Sequence, residues 1–469
     1  MVRDNFSPCV FLPTQKPRQQ KTVDGRSVEP IFFNNVFEMN EFKEKYSGID
    51  RFEIHGDING EYQYMGEKYE NDFPYDPQLI KIMYIDIETT AENGFPNVDN
   101  PIEKVTVIST IMGNEKKVFC LGKFTPKTDI EVHDFDDEQD LLLSFCEYMN
   151  HARPDIMSGW NIKFFDIPYL VNRCSRLLDE KEVKYLSPWG IIKKKMVEKN
   201  NEDHTTFELV GISVMDYYDL YKTFTYVKQE SYSLNHIAYV ELGKEKIDYS
   251  EYETIRDFYT QNFQKFVEYN IVDCELVLEL ENKMRLMELA ISLAYSAKVN
   301  FVDVFSQVRT WDAIIYNYLK PQNIIIPPRK QGKKDSQYAG AYVKDPQVGM
   351  HDWILSYDVN SLYPSLIIHL NISPETLQKK NFIGKINIDD IIRNDRKSTT
   401  FEYLNEAKEL NCTIAANGTM YTKKKIGFLP ELMDKMYKER KHYKDLMIKA
   451  EKDLEAVKHE IQRRGLTIK

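Results

Sequence analysis

The chain has 469 residues, 42% hydrophobic and 29% charged, with a formal net charge of −11. That length exceeds what one hydrophobic core serves and implies two to four globular domains. No apolar run reaches membrane-spanning length, the opening MVRDNFSPCVFLP lacks a signal-peptide core, and six scattered cysteines without a C-x-x-C pair argue against a zinc ribbon or a disulfide framework.

In chain order, the strand-like runs CVFLP, PIFFNNVF, RFEIHG and EYQYMG alternate with a helical MNEFKEKYSG, and this predicts a small α+β unit over residues 1–80. DFPYDPQ marks a boundary through its prolines and aspartates. The run LIKIMYIDIETT reads as a buried strand; KVTVIST, KKVFCLG, the helix DEQDLLLSFCEYMNHA and PDIMSGWN then predict an α/β domain with a central mixed sheet over residues 81–285. QNIIIPPRKQGKKDSQ is a Pro- and Lys-rich connector, and HDWILSYDVNSLYPSLIIHL reads as a buried strand turning into a helix. At the end, Leu432, Met436, Tyr443, Leu446, Met447, Ala450, Leu454, Val457 and Ile461 recur at helical spacing, with Gly465 as a C-cap. Residues 421–469 carry 14 Lys+Arg against 8 Asp+Glu, a basic arm on an acidic body, as suits a helix that meets phosphates or an ordinary solvated helix.

Asp86 and Glu88, two apart on a strand, project from one face. Two carboxylates that close repel unless a cation or solvent neutralises them. Taken alone the pair is more often a solvated strand edge. Asp166 opens the helix DIPYLVNR and could simply cap it. Tyr269 and Asp273 lie at i and i+4 on one helix face, a common spacing. Asp358 ends an apolar strand and could equally be a turn residue.

Taken together, DIETT, GWNIKFFDIPYLVNR, EYNIVDCELV and DVNSLYPSLI resemble the three exonuclease motifs and the first polymerase motif of family B DNA polymerases, most closely the replicative enzymes of large tailed bacteriophages. SVMDYYDLYKTFTY, VFSQVRTWDAIIYNYLK, QYAGAYVKDP and NISPETL extend the resemblance over nearly the whole chain. The resemblance implies an α/β multidomain fold: an N-terminal α+β domain at 1–80 with 286–329 returning to it, a ribonuclease H-like 3′→5′ exonuclease at 81–285, a partial palm at 330–426 and the first finger helix at 427–469.

It also implies chemistry. Asp86, Glu88, Asp166 and Asp273 would hold two Mg²⁺ ions, for which Mn²⁺ can substitute, and Tyr269 would orient the attacking water. Phe95, Asn161, Tyr338 and Gly340 would touch DNA, although a core aromatic is as good a reading of Phe95. Asp358 and the Val359 carbonyl would bind the polymerase metals, Ser361, Leu362 and Tyr363 would line the nucleotide site, and Arg440 and Lys444 would grip the triphosphate. The partners implied are primer–template DNA, single-stranded 3′ ends and dNTPs, in the cytoplasm of an infected bacterium, with no membrane.

The family's second catalytic aspartate, in a Y-G-D-T-D-S-like turn, and its K-x₃-N-S-x-Y-G helix are not in this sequence. The expectation is therefore the N-terminal part of a polymerase, either one subunit of a split enzyme whose C-terminal half, with the sliding-clamp contact, comes from a second chain, or a truncated reading frame. A stand-alone exonuclease and a non-catalytic primer–template-binding fragment are the alternatives.

Overall fold

Six segments rich in β-branched and aromatic residues pair into one sheet: Ile82–Thr89 (β1), Val105–Met112 (β2), Glu115–Leu121 (β3), Glu131–Phe135 (β4), Ile156–Ser158 (β5) and Ser213–Val214 (β6). The computed structural model describes residues 5–69, 76–199, 202–248, 250–328, 343, 345–378 and 386–464. The strand order is β6-β5-β1-β2-β3-β4. β1 runs parallel to β5 and antiparallel to β2, so the sheet is mixed, as expected from the sequence.

Alternation along β1 decides where its acids go. Met83, Ile85 and Ile87 enter a core with Phe145 and Met149 of helix Glu138–Ala152 and Leu170 and Cys174 of helix Asp166–Leu177. Tyr84, Asp86 and Glu88 therefore face the other way, towards helix Phe263–Met284, whose Phe266, Val267 and Ile271 pack on Val107 and Val118. The β1–β2 register shifts between Glu88 and Thr89, a bulge at the end of the acidic stretch. The turn after β5 comes so close to β1 that a Cβ on Gly159 would lie 2.4 Å from the Ile85 carbonyl oxygen.

Buried charge ties the loop between β1 and β2 to this frame. Arg173 forks onto Glu138 at 2.5 and 2.8 Å and donates to the carbonyls of Pro101 and Ile102, and Glu138 also accepts from the Val105 N–H. Glu103, 3% exposed, accepts from the Thr90 hydroxyl, the Glu92 and Asn93 N–H groups and the Asn93 amide. Burial opposes its ionisation, yet these four bonds hold its pKa at about 2. Glu103→Gln is expected to cost about 1.5–3 kcal/mol at pH 7, the scale of hydrogen bonds to a charged group. Because the folded pKa is depressed, that contribution is present above the usual carboxylate range and is lost as pH falls towards 2. Thermal unfolding of parent and variant at pH 7 and pH 3 reads it, and an equal deficit at both would contradict it.

Contacts divide the chain into two units: Met1–Pro8, Phe33–Met39 and Ile58–Pro321, and Cys9–Phe32, Asn40–Asp57 and Gln322–Lys469. In the first, EYQYMG is not a strand but lies in helix Gly60–Lys68, capped by Asn59. Its tyrosines and Gly66 serve a helical face: Tyr62 donates to Asp303 at 2.5 Å, and a Cβ on Gly66 would lie 2.6 Å from Asn317 Oδ1. In the second, Cys9–Pro13 pairs with Val28–Phe32, and Lys21–Thr22 pairs in parallel with Ile324–Ile325. RFEIHG forms no strand there; it contributes a single bridge, His55 to Phe11.

Also in the second unit, helix Phe428–Arg463 is anchored by NISPET: Glu375 accepts from the Phe428 N–H at 2.6 Å and Ser373 from Leu429 at 3.4 Å. Beyond Leu432 its apolar stripe is open, with Met436, Tyr443, Leu446, Met447, Leu454 and Val457 exposed. Gly465 lies outside the described residues. The expected buried strand at WILSYDV does not form. Trp353, Ile354, Leu355 and Tyr357 are 74–97% exposed, because among the described residues no strand pairs with them. The helix that follows it, Leu362–Leu370, forms as expected. Among the described residues all six cysteines are free and buried, and no helix is long and apolar enough to cross a membrane.

Candidate metal centre

β1 and helix Phe263–Met284 bring Asp86, Glu88 and Asp273 together, with one carboxylate oxygen of each within 4.8 Å of the others. Asp273 is 5% exposed, whereas Asp86 and Glu88 are half-buried. Asp166 reaches the same strand from another element. Its Oδ1 accepts from the Ile87 N–H at 3.0 Å, and it lies 4% exposed at the first turn of its helix. Phe165, not Asp166, occupies the cap position, and no side-chain cap bond forms at that end.

Two further side chains complete the arrangement, and sequence reasoning missed both. Lys246 Nζ pairs with Asp273 Oδ2 and lies 3.2 Å from the Tyr269 hydroxyl. Asn270 Nδ2 donates to Asp86 Oδ2 at 2.7 Å. Lys246 stands in LGKEKIDY, where nothing local marks it among other lysines. Asn270 sits beside Tyr269 inside EYNIVD, and its helix position was the available signal.

The electrostatics are those of a cluster short of positive charge. Burial, then the charges of Asp166, Asp273 and Glu88, push Asp86 well above the usual carboxylate range. Burial, then Asp273, raises Glu88 to about 8. Burial lifts Asp166 to about 7 against the Ile87 N–H, and Asp273 to about 6 against Lys246. Burial works against the Lys246 ammonium, but Asp273 and Tyr269 more than offset it and its pKa rises. Tyr269 is raised by burial and then by Asp273. Asp273 Oδ1 is buried without a hydrogen-bond partner. An all-oxygen donor set with an orphaned carboxylate oxygen fits a hard divalent cation such as Mg²⁺ or Mn²⁺.

These shifts have a sign. Carboxylates whose folded pKa is raised stabilise the fold when protonated, and that stability is lost as pH climbs through about 6 to 8. A cation competes with those protons. Millimolar Mg²⁺ is therefore expected to raise the melting temperature more at pH 8 than at pH 5.5, read against EDTA controls; an equal or larger rise at pH 5.5 would contradict the site.

The remaining predicted residues are placed as follows. Asn161 has a left-handed backbone, φ 66°, and its N–H donates to Asp216 at 2.8 Å. Phe95 is 88% exposed, so it is not a core aromatic, and its ring centroid lies 5.8 Å from that of Phe165. In the second unit Asp358 and Val359 are exposed, Ser361 is left-handed before the helix, Leu362 and Tyr363 are exposed, and Arg440 and Lys444 are exposed one turn apart. Tyr338 and Gly340 lie outside the described residues.

Comparison with known proteins bears on the whole chain. The family model described as DNA polymerase family B, exonuclease domain, matches residues 57–237, and the one described as DNA polymerase family B matches residues 306–469. The chain is similar to the DNA-directed DNA polymerase of Escherichia phage RB69, at 30% identity over 99% of this chain and 53% of that protein. The DNA-directed DNA polymerase of Enterobacteria phage T4 is 29% identical over 97% of this chain and 52% of its own length. The DNA polymerase delta catalytic subunit of Plasmodium falciparum (isolate K1 / Thailand) is 29% identical over 82% of this chain and 35% of its own. The chain thus spans about half the length of the phage relatives it matches.

Proposed function

Because the chain belongs to DNA polymerase family B, we propose that residues 81–285 are a ribonuclease H-like 3′→5′ exonuclease and that Asp86, Glu88, Asp166 and Asp273 are its metal-holding acids. The observation that carries this is the meeting of Asp86, Glu88 and Asp273 within 4.8 Å, with Tyr269 one helical turn from Asp273. Bound divalent cations would supply an activated water and charge stabilisation at the scissile phosphate and the departing 3′ oxygen. The chain's own groups do the rest. The Tyr269 hydroxyl orients the water, and Lys246, 3.2 Å away, fixes that hydroxyl. The exposed ring of Phe95 offers a face for the terminal base, and Asn161 is a second contact for DNA.

In the same reading, residues 1–80 with 286–329 form the N-terminal domain, 330–426 a partial palm and 427–469 the first finger helix. Asp358 and the Val359 carbonyl hold the polymerase metals, Ser361, Leu362 and Tyr363 meet the sugar of the incoming dNTP, and Arg440 and Lys444 grip its triphosphate. The exposed run Trp353–Tyr357 suits a strand whose ladder partners sit on another polypeptide segment, one that also brings the second aspartate. That segment, primer–template DNA and dNTPs are the partners in this reading. The clamp contact is not assigned to this chain, and the place of work is the cytoplasm of an infected bacterium. The open Asp358 segment equally favours a second reading, an exonuclease working alone.

The test is a 5′-labelled primer with a mismatched 3′ end, incubated with the chain and Mg²⁺. Stepwise shortening that EDTA stops is expected. A folded sample that binds the primer yet never shortens it would overturn the reading.

A further inference from the structure

Asn270 is fully buried, yet only one end of its amide is partnered. Nδ2 donates to Asp86 Oδ2 at 2.7 Å, whereas Oδ1 has no hydrogen-bond partner. Leaving a buried acceptor unmade is unfavourable, so the side chain holds this pose because the other end makes a charge-assisted bond. The two ends of an amide differ only in donor and acceptor character. Turned over, Oδ1 would face a carboxylate oxygen and repel it, so the orientation is set by the carboxylate.

Its place on the helix matters as much as the bond. Asn270 precedes Asp273 by three residues, so both lie on the helix face that covers β1. One helical turn thus carries an acid of the centre and the donor that orients an acid of the facing strand. Lys246 acts differently: it neutralises Asp273 with a charge that a metal ion would have to displace. Asn270 is neutral and binds one oxygen of Asp86, so the other is free of this bond. Ser109, directly opposite Asp86 in the β1–β2 ladder, is buried with its hydroxyl unpartnered and does not share the task.

We infer that Asn270 is the positioning residue of the metal centre, holding Asp86 in the rotamer whose second oxygen meets the divalent cation. This rests on the metal-site reading proposed above, but not on the nature of the substrate.

The experiment is calorimetric titration of the full chain with Mn²⁺ alone, without DNA, together with melting temperatures in EDTA. Asn270→Leu keeps the side-chain shape and removes both the donor and the orphaned acceptor. Its Kd for Mn²⁺ is expected to rise about tenfold or more, the scale of a lost outer partner of a metal ligand. Its metal-free melting temperature, read in EDTA, shows that the variant folds. A merely structural asparagine gives a lower melting temperature with an unchanged Kd. Asn270→Ala removes the same donor without bulk and gives the same rise in Kd should the leucine variant not fold. Variants that bind Mn²⁺ within about twofold of the parent overturn the inference alone. A parent that binds no Mn²⁺ overturns the metal-centre reading itself.

Discussion

In the exonuclease reading, Asp86→Ala is expected to slow removal of the mismatched primer end by about 10²–10³-fold, the scale on which one preorganised electrostatic group acts in a closed site. The same change should make the metal-free protein more stable at pH 8. Both effects follow from one fact. Burial and three neighbouring acids hold the Asp86 pKa far above its ordinary value, so its ionised form destabilises the metal-free fold. Alanine removes that charge. The stability gained should fade as the pH is lowered and the parent's carboxylate takes up its proton. Primer degradation and thermal unfolding in EDTA at pH 8 and pH 5.5 check the pair. A variant that loses activity together with metal-free stability has lost its fold instead, and the argument from charge fails.

Lys246→Ala should move metal-free stability the other way. Lys246 and Asp273 are 21% and 6% exposed in their side chains, so removing the ammonium leaves a largely buried carboxylate without its cation. Breaking such a pair from one side is expected to cost about 3 kcal/mol in EDTA at pH 8. Mn²⁺ should restore most of it, because a divalent cation neutralises the same oxygens. The raised Lys246 pKa keeps the ammonium charged well past pH 8, so the pH dependence between 6 and 8 belongs to the acids. In the exonuclease reading proposed above, cleavage should also slow by about tenfold or more, since the Tyr269 hydroxyl loses its bond from Lys246. Denaturant unfolding with and without Mn²⁺ decides the matter, and a deficit that Mn²⁺ leaves untouched would show that Lys246 is not a stand-in cation.

The acids themselves were legible because their periodicities are local. Alternation put Asp86 and Glu88 on one face of β1, and i,i+4 spacing put Tyr269 and Asp273 on one helix face. The motif resemblance joined the two. What local pattern could not supply was the partnering across long separations: Lys246 beside Asp273, and Asn270 beside Asp86 at 184 residues' distance. EYQYMG misled because its aromatic alternation fits a strand, while Asn59 caps a helix and Tyr62 finds Asp303 far along the chain. WILSYDV has every local property of a buried strand and is exposed here, because a strand is made by its neighbours as much as by its own residues.

The placement of these residues along the polypeptide has a consequence for biosynthesis. β1 leaves the ribosome long before the helix that carries Asn270 and Asp273, and 184 residues take roughly 10–40 s to translate at bacterial and eukaryotic rates. Through that interval the nascent chain holds Asp86 and Glu88 without the helix that completes their site. The carboxylate cluster is therefore completed late, with the docking of one helix on a finished sheet.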